Sequence, residues 1–197
     1  MNELLPEDVT KKTLDLAGGF DILRLILSSA LYTMAAILLF ILFGQPLEWV
    51  HYVLIFVLMA TYSLFRAAII RSRVKNALIA QSNYLLKAHP NADLYIPMLE
   101  KPFGVIRLKK AALFRENDQL WLEAFDLQIT QIHPKKSLSV PLGPDFSLQS
   151  ITPGERPDYV RVMAKIKEQN YPFVIPAIER IVALLDTYLS IEKKEVI

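Results

Sequence analysis

The sequence predicts an α+β membrane protein: a two-helix transmembrane hairpin, then an antiparallel β domain capped by a C-terminal helix. Three observations lead there. From Leu25 to Leu47 no residue is charged, and a second uncharged run extends from Trp49 to Phe65. From Asp93 onward the apolar pattern changes from helical spacing to alternation. The last apolar set, Ile178, Ile181, Val182, Leu185, Tyr188 and Leu189, returns to helical spacing on one face.

The first run is long enough, at about 1.5 Å per helical residue, to cross a hydrocarbon core of about 30 Å. Ala67-Ala68-Ile69-Ile70 extends the second run past Arg66, whose stem can stay in lipid while its head reaches water. Between the runs lies Phe43-Gly44-Gln45-Pro46-Leu47-Glu48, where Gly and Pro end one helix and permit a reversal. Trp49 and Tyr52 follow at interface depth. Lys11, Lys12 and Arg24 precede the first span, and Arg66, Arg71, Arg73 and Lys75 follow the second, while the loop has neither Lys nor Arg. The positive-inside rule therefore puts both termini in the cytoplasm, in a two-pass cell-membrane protein. A cleaved signal peptide fits poorly, because the N-terminal region mixes acids with bases and no small-residue cleavage site follows the apolar core.

Small residues recur along both spans. Ser29, Thr33 and Ala36 share one face of the first, and Ala60, Ser63 and Ala67 one face of the second. Such faces let helices approach closely in lipid. They suit packing within the hairpin or a seam between copies of the chain. Neither span carries an ionisable side chain at mid-depth, which weighs against an ion or proton pathway.

Four segments follow. Residues 1–20 read as an amphipathic helix, with Pro6 at its start, Glu7 and Asp8 in its first turn and Val9, Leu14 and Leu16 on its apolar side. Such a helix suits the cytoplasmic leaflet or a partner. Residues 21–71 form the hairpin. Residues 72–92 read as a cytoplasmic stalk helix and linker, ending at His89-Pro90-Asn91. Residues 93–197 form the soluble domain. Its expected strands are Leu94–Leu99, Val105–Leu108, Ala111–Arg115, Gln119–Ala124, Leu127–Ile132, Ser137–Leu142, Phe146–Ile151, Tyr159–Lys167 and Tyr171–Ile175. Asn117-Asp118, Gly143-Pro144-Asp145 and Pro153-Gly154 are the turn signals, and the closing helix starts at Pro176.

Composition narrows the chemistry. A net charge of +2 gives no basis for wrapping a nucleic acid. The absence of cysteine excludes disulfides and thiolate chemistry. No phosphate loop, dinucleotide fingerprint, metalloprotease His pair or Gly-x-Ser-x-Gly elbow occurs, so neither a cofactor nor a metal is expected. His51, His89 and His133 are scattered, and no two are spaced to share a metal on one element. Glu123 with Asp126 reads as a solvated strand end, and Glu155-Arg156 with Asp158 as a surface turn. The remaining cluster is basic: Lys101, Arg107, Lys109, Lys110 and the Lys135-Lys136 turn. With Arg66, Arg71, Arg73 and Lys75 it could hold the domain against anionic lipid, although Glu100, Glu116 and Asp118 are interspersed.

The order of elements resembles a pleckstrin-homology-type barrel, and bacterial two-span membrane proteins with a cytoplasmic PH-like, or YcxB-like, domain. Ala112-Leu113-Phe114-Arg115-Glu116-Asn117-Asp118-Gln119-Leu120-Trp121-Leu122, then Lys136-Ser137-Leu138-Ser139-Val140-Pro141-Leu142, then the helix from Pro176 to Leu189 carry the resemblance. It implies a non-enzymatic platform in a bacterial inner membrane: an adaptor, regulator or accessory subunit. Its partners would be membrane lipids and another membrane protein or a second copy. A lipid-sensing module and a homo-oligomeric pore are the competing readings.

Overall fold

The computed structural model describes residues 4–18, 22–44, 48–125 and 137–195. In chain order the elements are α1 (Glu7–Ala17), α2 (Ile22–Leu42), α3 (Trp49–Ala88), β1 (Ala92–Glu100), a 3-10 turn (Pro102–Gly104), β2 (Arg107–Glu116), β3 (Gln119–Phe125), β4 (Ser137–Pro141), β5 (Phe146–Pro153), β6 (Tyr159–Ile166), β7 (Gln169–Pro176) and α4 (Glu179–Glu195). The chain divides into two compact units, Gly18–Arg73 and Met1–Ala17 with Val74–Ile197.

The first unit is helical. Neither Gly nor Pro interrupts α2, whose 21 residues extend over about 31 Å. Gly44 ends the helical path at φ +66°, a left-handed conformation that an L side chain resists, and its N–H donates to the Ile41 carbonyl at 3.0 Å. One helix among the described residues, α3, is long and apolar enough to cross a membrane. α2 carries a shorter apolar stretch, Ile26–Leu42. The sequence predicts two spans; by length and composition the described residues establish one, α3. Only 17% of the most apolar stretch of α3 is buried, whereas a core helix of a water-soluble protein is mostly covered. Leu31, Leu42, Phe43, Trp49 and Phe65 all lie exposed, far more apolar surface than a water-soluble monomer leaves open.

The small residues behave differently from these neighbours. Ser29, Thr33, Ser63 and Ala67 are buried, and Ala36 and Ala60 half-buried. Thr33 returns its hydroxyl to the Ser29 carbonyl at 2.7 Å. Tyr32 and Tyr62 meet edge to face with ring centroids 6.1 Å apart, and Arg66 donates to the Tyr32 hydroxyl at 2.7 Å.

The second unit is a seven-stranded antiparallel sheet in the order β4-β3-β2-β1-β7-β6-β5, curled into a half-barrel. The curl follows from connectivity. β4 and β5 are opposite edges, yet only residues 142–145 join them. That link spans at most about 19 Å at 3.8 Å per Cα step. Edges of a flat seven-stranded sheet would stand about 29 Å apart. The sheet must therefore bend until its edges converge at this turn, where the Gly143 N–H donates to the Phe146 carbonyl at 2.8 Å.

Several strands differ from expectation. Of the expected strand Val105–Leu108, Val105 and Ile106 lie outside any strand; Arg107-Leu108 joins Ala111–Arg115 in one continuous strand, β2, because Lys109-Lys110 carries no breaker and pairing with β1 bridges it across a bulge. Leu94–Leu99 lies within β1, at the centre of the sheet. Leu127–Ile132 lies outside the described residues. The β2–β3 hairpin turns on Asn117 and Asp118, both at positive φ, as a two-residue hairpin of matching twist demands.

The sheet is covered on both faces. Leu113, Leu120, Leu122, Phe146, Val162 and Phe173 join Ile178, just before α4, and α4's Ile181 and Leu185 in the main core. A cross-strand row, Tyr95–Phe114–Trp121–Pro141, runs over β1 to β4. The last turns of α3 lie against that row. Tyr95 donates to Gln81 Oε1 at 2.6 Å, Gln81 Nε2 donates to the Lys109 carbonyl at 3.1 Å, and Tyr84 meets Phe125 edge to face. Burial beneath the helix raises the Tyr95 pKa above its ordinary value. The expected stalk thus becomes a structural element of the domain, with Leu78 and Leu85 fully buried.

The N-terminal segment is likewise drawn in. α1 buries Val9, Thr13, Leu14, Leu16 and Ala17. Leu16 and Ala17 complete a small core with Leu99, Ile106, Tyr159 and Val174. Asp8 pairs with Arg180 of α4 at 2.8 Å, and Lys12 donates to the Ala177 carbonyl. The apolar side read from Val9, Leu14 and Leu16 is real, but the protein's own sheet covers it and no leaflet is needed to do so.

Candidate functional site

Two polar constellations stand out in the β unit. The first centres on His89, just past the end of α3. Its ring lies over Phe114, with centroids 4.5 Å apart, and 6.1 Å from Trp121. Nδ1 is 2.9 Å from Glu116 Oε2, at the end of β2. Nε2 is 3.4 Å from Ser139 Oγ on β4, which donates to Glu123 Oε2 on β3. Glu123 is fully buried. This corrects the reading of Glu123 as a solvated strand end: β3 continues to Phe125, and β4 covers residue 123 through the Glu123–Ser139 pairing. Asp126, its expected companion, lies outside the described residues. Glu123 Oε1 and Trp121 Nε1 are buried and meet no partner among the described residues. Both sit on β3 two residues apart, so they share one face.

The arrangement hydroxyl–imidazole–carboxylate is the order that nucleophilic catalysis uses. Here it is tied down instead. The Ser139 hydroxyl is committed to a buried carboxylate, and its contact to His89 is long for a hydrogen bond. The cluster reads as a polar pin between α3 and the sheet.

The second constellation is a groove of about 660 Å³ on the outer face of β5, β6 and β7. Register places its floor. Thr152 pairs with Arg161 and Arg161 with Val174, while Ser150 pairs with Met163 and Met163 with Pro172. Lys101, just before the 3-10 turn, and Gly104 within it form one wall, and the β5–β6 connection supplies Glu155. Lys101 and Arg161 both donate to the Glu155 carboxylate, one to each oxygen. Lys101 also donates to the Tyr159 hydroxyl at 3.1 Å and stands 5.5 Å from the centre of that ring. Gly154 fits against Tyr159 so closely that a Cβ there would fall 2.4 Å from the ring, which fixes where Glu155 begins. The Glu155 hydrogen bond raises the Lys101 pKa, and the same bond lowers that of Glu155.

The predicted basic residues are divided between the two units. Arg66 is engaged by Tyr32, and Arg71 is half-buried. Arg73 and Lys75 are exposed on α3, and on β2 Arg107 and Lys110 are exposed with Lys109 half-buried. Arg66, Arg71 and Arg73 belong to one unit and the others to the second. Lys101 lines the groove and pairs with Glu155. Lys135 and Lys136 lie outside the described residues. Of the remaining histidines, His51 accepts from the Glu48 N–H at the start of α3, and His133 is outside the described residues.

Sequence reasoning missed Arg161, Ser150 and Thr152, and read Glu155 only as a turn residue. The signal was present: Ser150 and Thr152 alternate along β5, and Arg161 and Met163 along β6, at the spacing that sends them to one face. What periodicity could not give was the pairing of β5, β6 and β7 that sets these faces side by side. No family model, curated protein or solved structure matches this chain.

Proposed function

We propose that the protein is a non-catalytic membrane adaptor, regulator or accessory subunit that presents a PH-like domain at the cytoplasmic face of a bacterial inner membrane. One observation carries the reading. The single helix α3 supplies both an apolar stretch of membrane-spanning length and residues of the domain core, Leu78 and Leu85. A domain that shares a helix with its anchor is a permanent resident of the membrane surface. α2 serves as the first pass of a hairpin, its exposed apolar side chains facing lipid. The Lys and Arg residues after the second apolar run put the domain on the cytoplasmic side. Partners are membrane lipids and another membrane protein or a second copy, with no nucleic acid.

The absence of cysteine makes the test direct. Glu48→Cys and Asn170→Cys are introduced singly and treated in intact cells with a membrane-impermeant maleimide. Position 48 is expected to label from outside, and position 170 only after the membrane is opened. Release of the chain from membranes by alkaline carbonate would defeat the anchoring. Labelling of position 170 in intact cells would defeat the orientation.

A further inference from the structure

We propose that the groove on the outer face of β5–β7 binds an amphipathic anion, holding a single phosphate or carboxylate head between Lys101 and Arg161 and an apolar body along Met163, Pro172 and Val174. The inference does not depend on the membrane reading.

Charge is the first argument. Two cations face one carboxylate, so the cluster carries a surplus positive charge at the groove wall. Donor supply is the second. Lys101 commits two of its three ammonium donors, to Glu155 and Tyr159. Arg161 has five guanidinium donors, and the hydrogen bond to Glu155 uses one. The hydroxyls of Ser150 and Thr152 line the same groove. Shape is the third. A volume of about 660 Å³ lies within the range of small-molecule sites, and its apolar floor beside convergent polar groups matches their usual make-up. Glu155 occupies the place an acidic ligand would take. Its side chain is 62% exposed, against 23% for Lys101, so it can swing to solvent while the lysine stays in place. The lowered pKa of Glu155 and raised pKa of Lys101 fit a carboxylate gripped by donors arranged for an anion.

The ligand could come from the bilayer or from solution. Its shared chemistry is one anionic head on an apolar body.

The test uses the full chain in nanodiscs of phosphatidylcholine, with hexyl phosphate as probe and phosphorus NMR as readout. Hexyl phosphate should bind, and inorganic phosphate should bind at least about tenfold more weakly. Glu155→Gln should tighten binding by about tenfold, because it frees both cations from their competitor. Arg161→Gln should weaken it by a similar factor, and Met163→Glu should abolish it. A purely structural ion pair predicts the opposite for Glu155→Gln: no gain in anion binding and a loss of stability. Failure of that variant to tighten binding, or equal binding of hexyl and inorganic phosphate, overturns the proposal. Doping the nanodiscs with phosphatidic acid separates the sources. A fall in hexyl phosphate affinity assigns the site to a bilayer lipid, and unchanged affinity assigns it to a soluble molecule.

Discussion

His89 Nδ1 lies 2.9 Å from Glu116 Oε2, and this contact fastens the end of α3 to the end of β2. The same ring packs at a tilt against Phe114 and meets Ser139, so one side chain joins α3 to β2, β3 and β4. His89→Ala removes the ring contact with Phe114 and leaves Glu116 without that partner. We expect it to destabilise the protein by about 1–3 kcal/mol, the usual effect of breaking a half-buried polar contact with packing attached. Chemical denaturation followed by near-ultraviolet circular dichroism checks this. An unfolding midpoint equal to wild type would show that the pin holds nothing.

A deeper pin lies about two helical turns further back. Tyr95 donates to Gln81 Oε1 beneath α3, and Gln81 in turn donates to the Lys109 carbonyl. Tyr95→Phe keeps the ring and strands a buried acceptor, at a cost of about 1–3 kcal/mol. Gln81→Leu and the double variant complete a cycle. Because the two side chains touch, the double variant should be less damaged than the sum of the singles. Strict additivity would mean that the hydrogen bond does not couple the helix to β1.

Much of this architecture can be read from residue order, for physical reasons visible in particular elements. Alternation along Tyr159–Lys167 survives as β6 because one side of that strand meets the core and the other meets solvent. The Asn117-Asp118 turn is legible because few residues tolerate positive φ. Glu123 was illegible. A glutamate in an apolar alternation looks solvated until β4 and His89 are placed over it, and those contacts come from residues distant in sequence. The role of α1 was hidden likewise, since an amphipathic helix has the same pattern whether a bilayer or a β-sheet covers it.

The Lys101–Glu155 pair sets a pH dependence. The lowered pKa of Glu155 means that its contribution is present above its ordinary value of 4.5 and is lost as the pH falls through the depressed one. The raised pKa of Lys101 means that its contribution is present below 10.5 and is lost as the pH rises through the elevated one. Arg161 faces the same carboxylate, and Tyr159 the same ammonium. Lys101→Gln should therefore lower the thermal midpoint by a constant small amount across the neutral range. The difference from wild type should vanish at the acid end, and added salt should shrink it. A difference that persists after Glu155 is protonated would assign the role of Lys101 to packing on Tyr159.

Within the helical unit, the buried small residues make the sharpest mutational contrast. Ala67 is 7% exposed and Phe65, two residues earlier, is 65% exposed on the same helix. If the small face is where α2 and α3 approach, a large side chain at position 67 must push the helices apart or force strained rotamers, costing about 1–3 kcal/mol. The same enlargement at an exposed position meets only lipid or detergent. Ala67→Phe is therefore expected to lower thermal stability in mild detergent and to speed proteolysis of residues 18–73. Leu64→Phe, an exposed control of similar chemistry, should leave both unchanged. Equal tolerance of the two would mean that Ser29, Thr33, Ser63 and Ala67 do not form the helix-packing face.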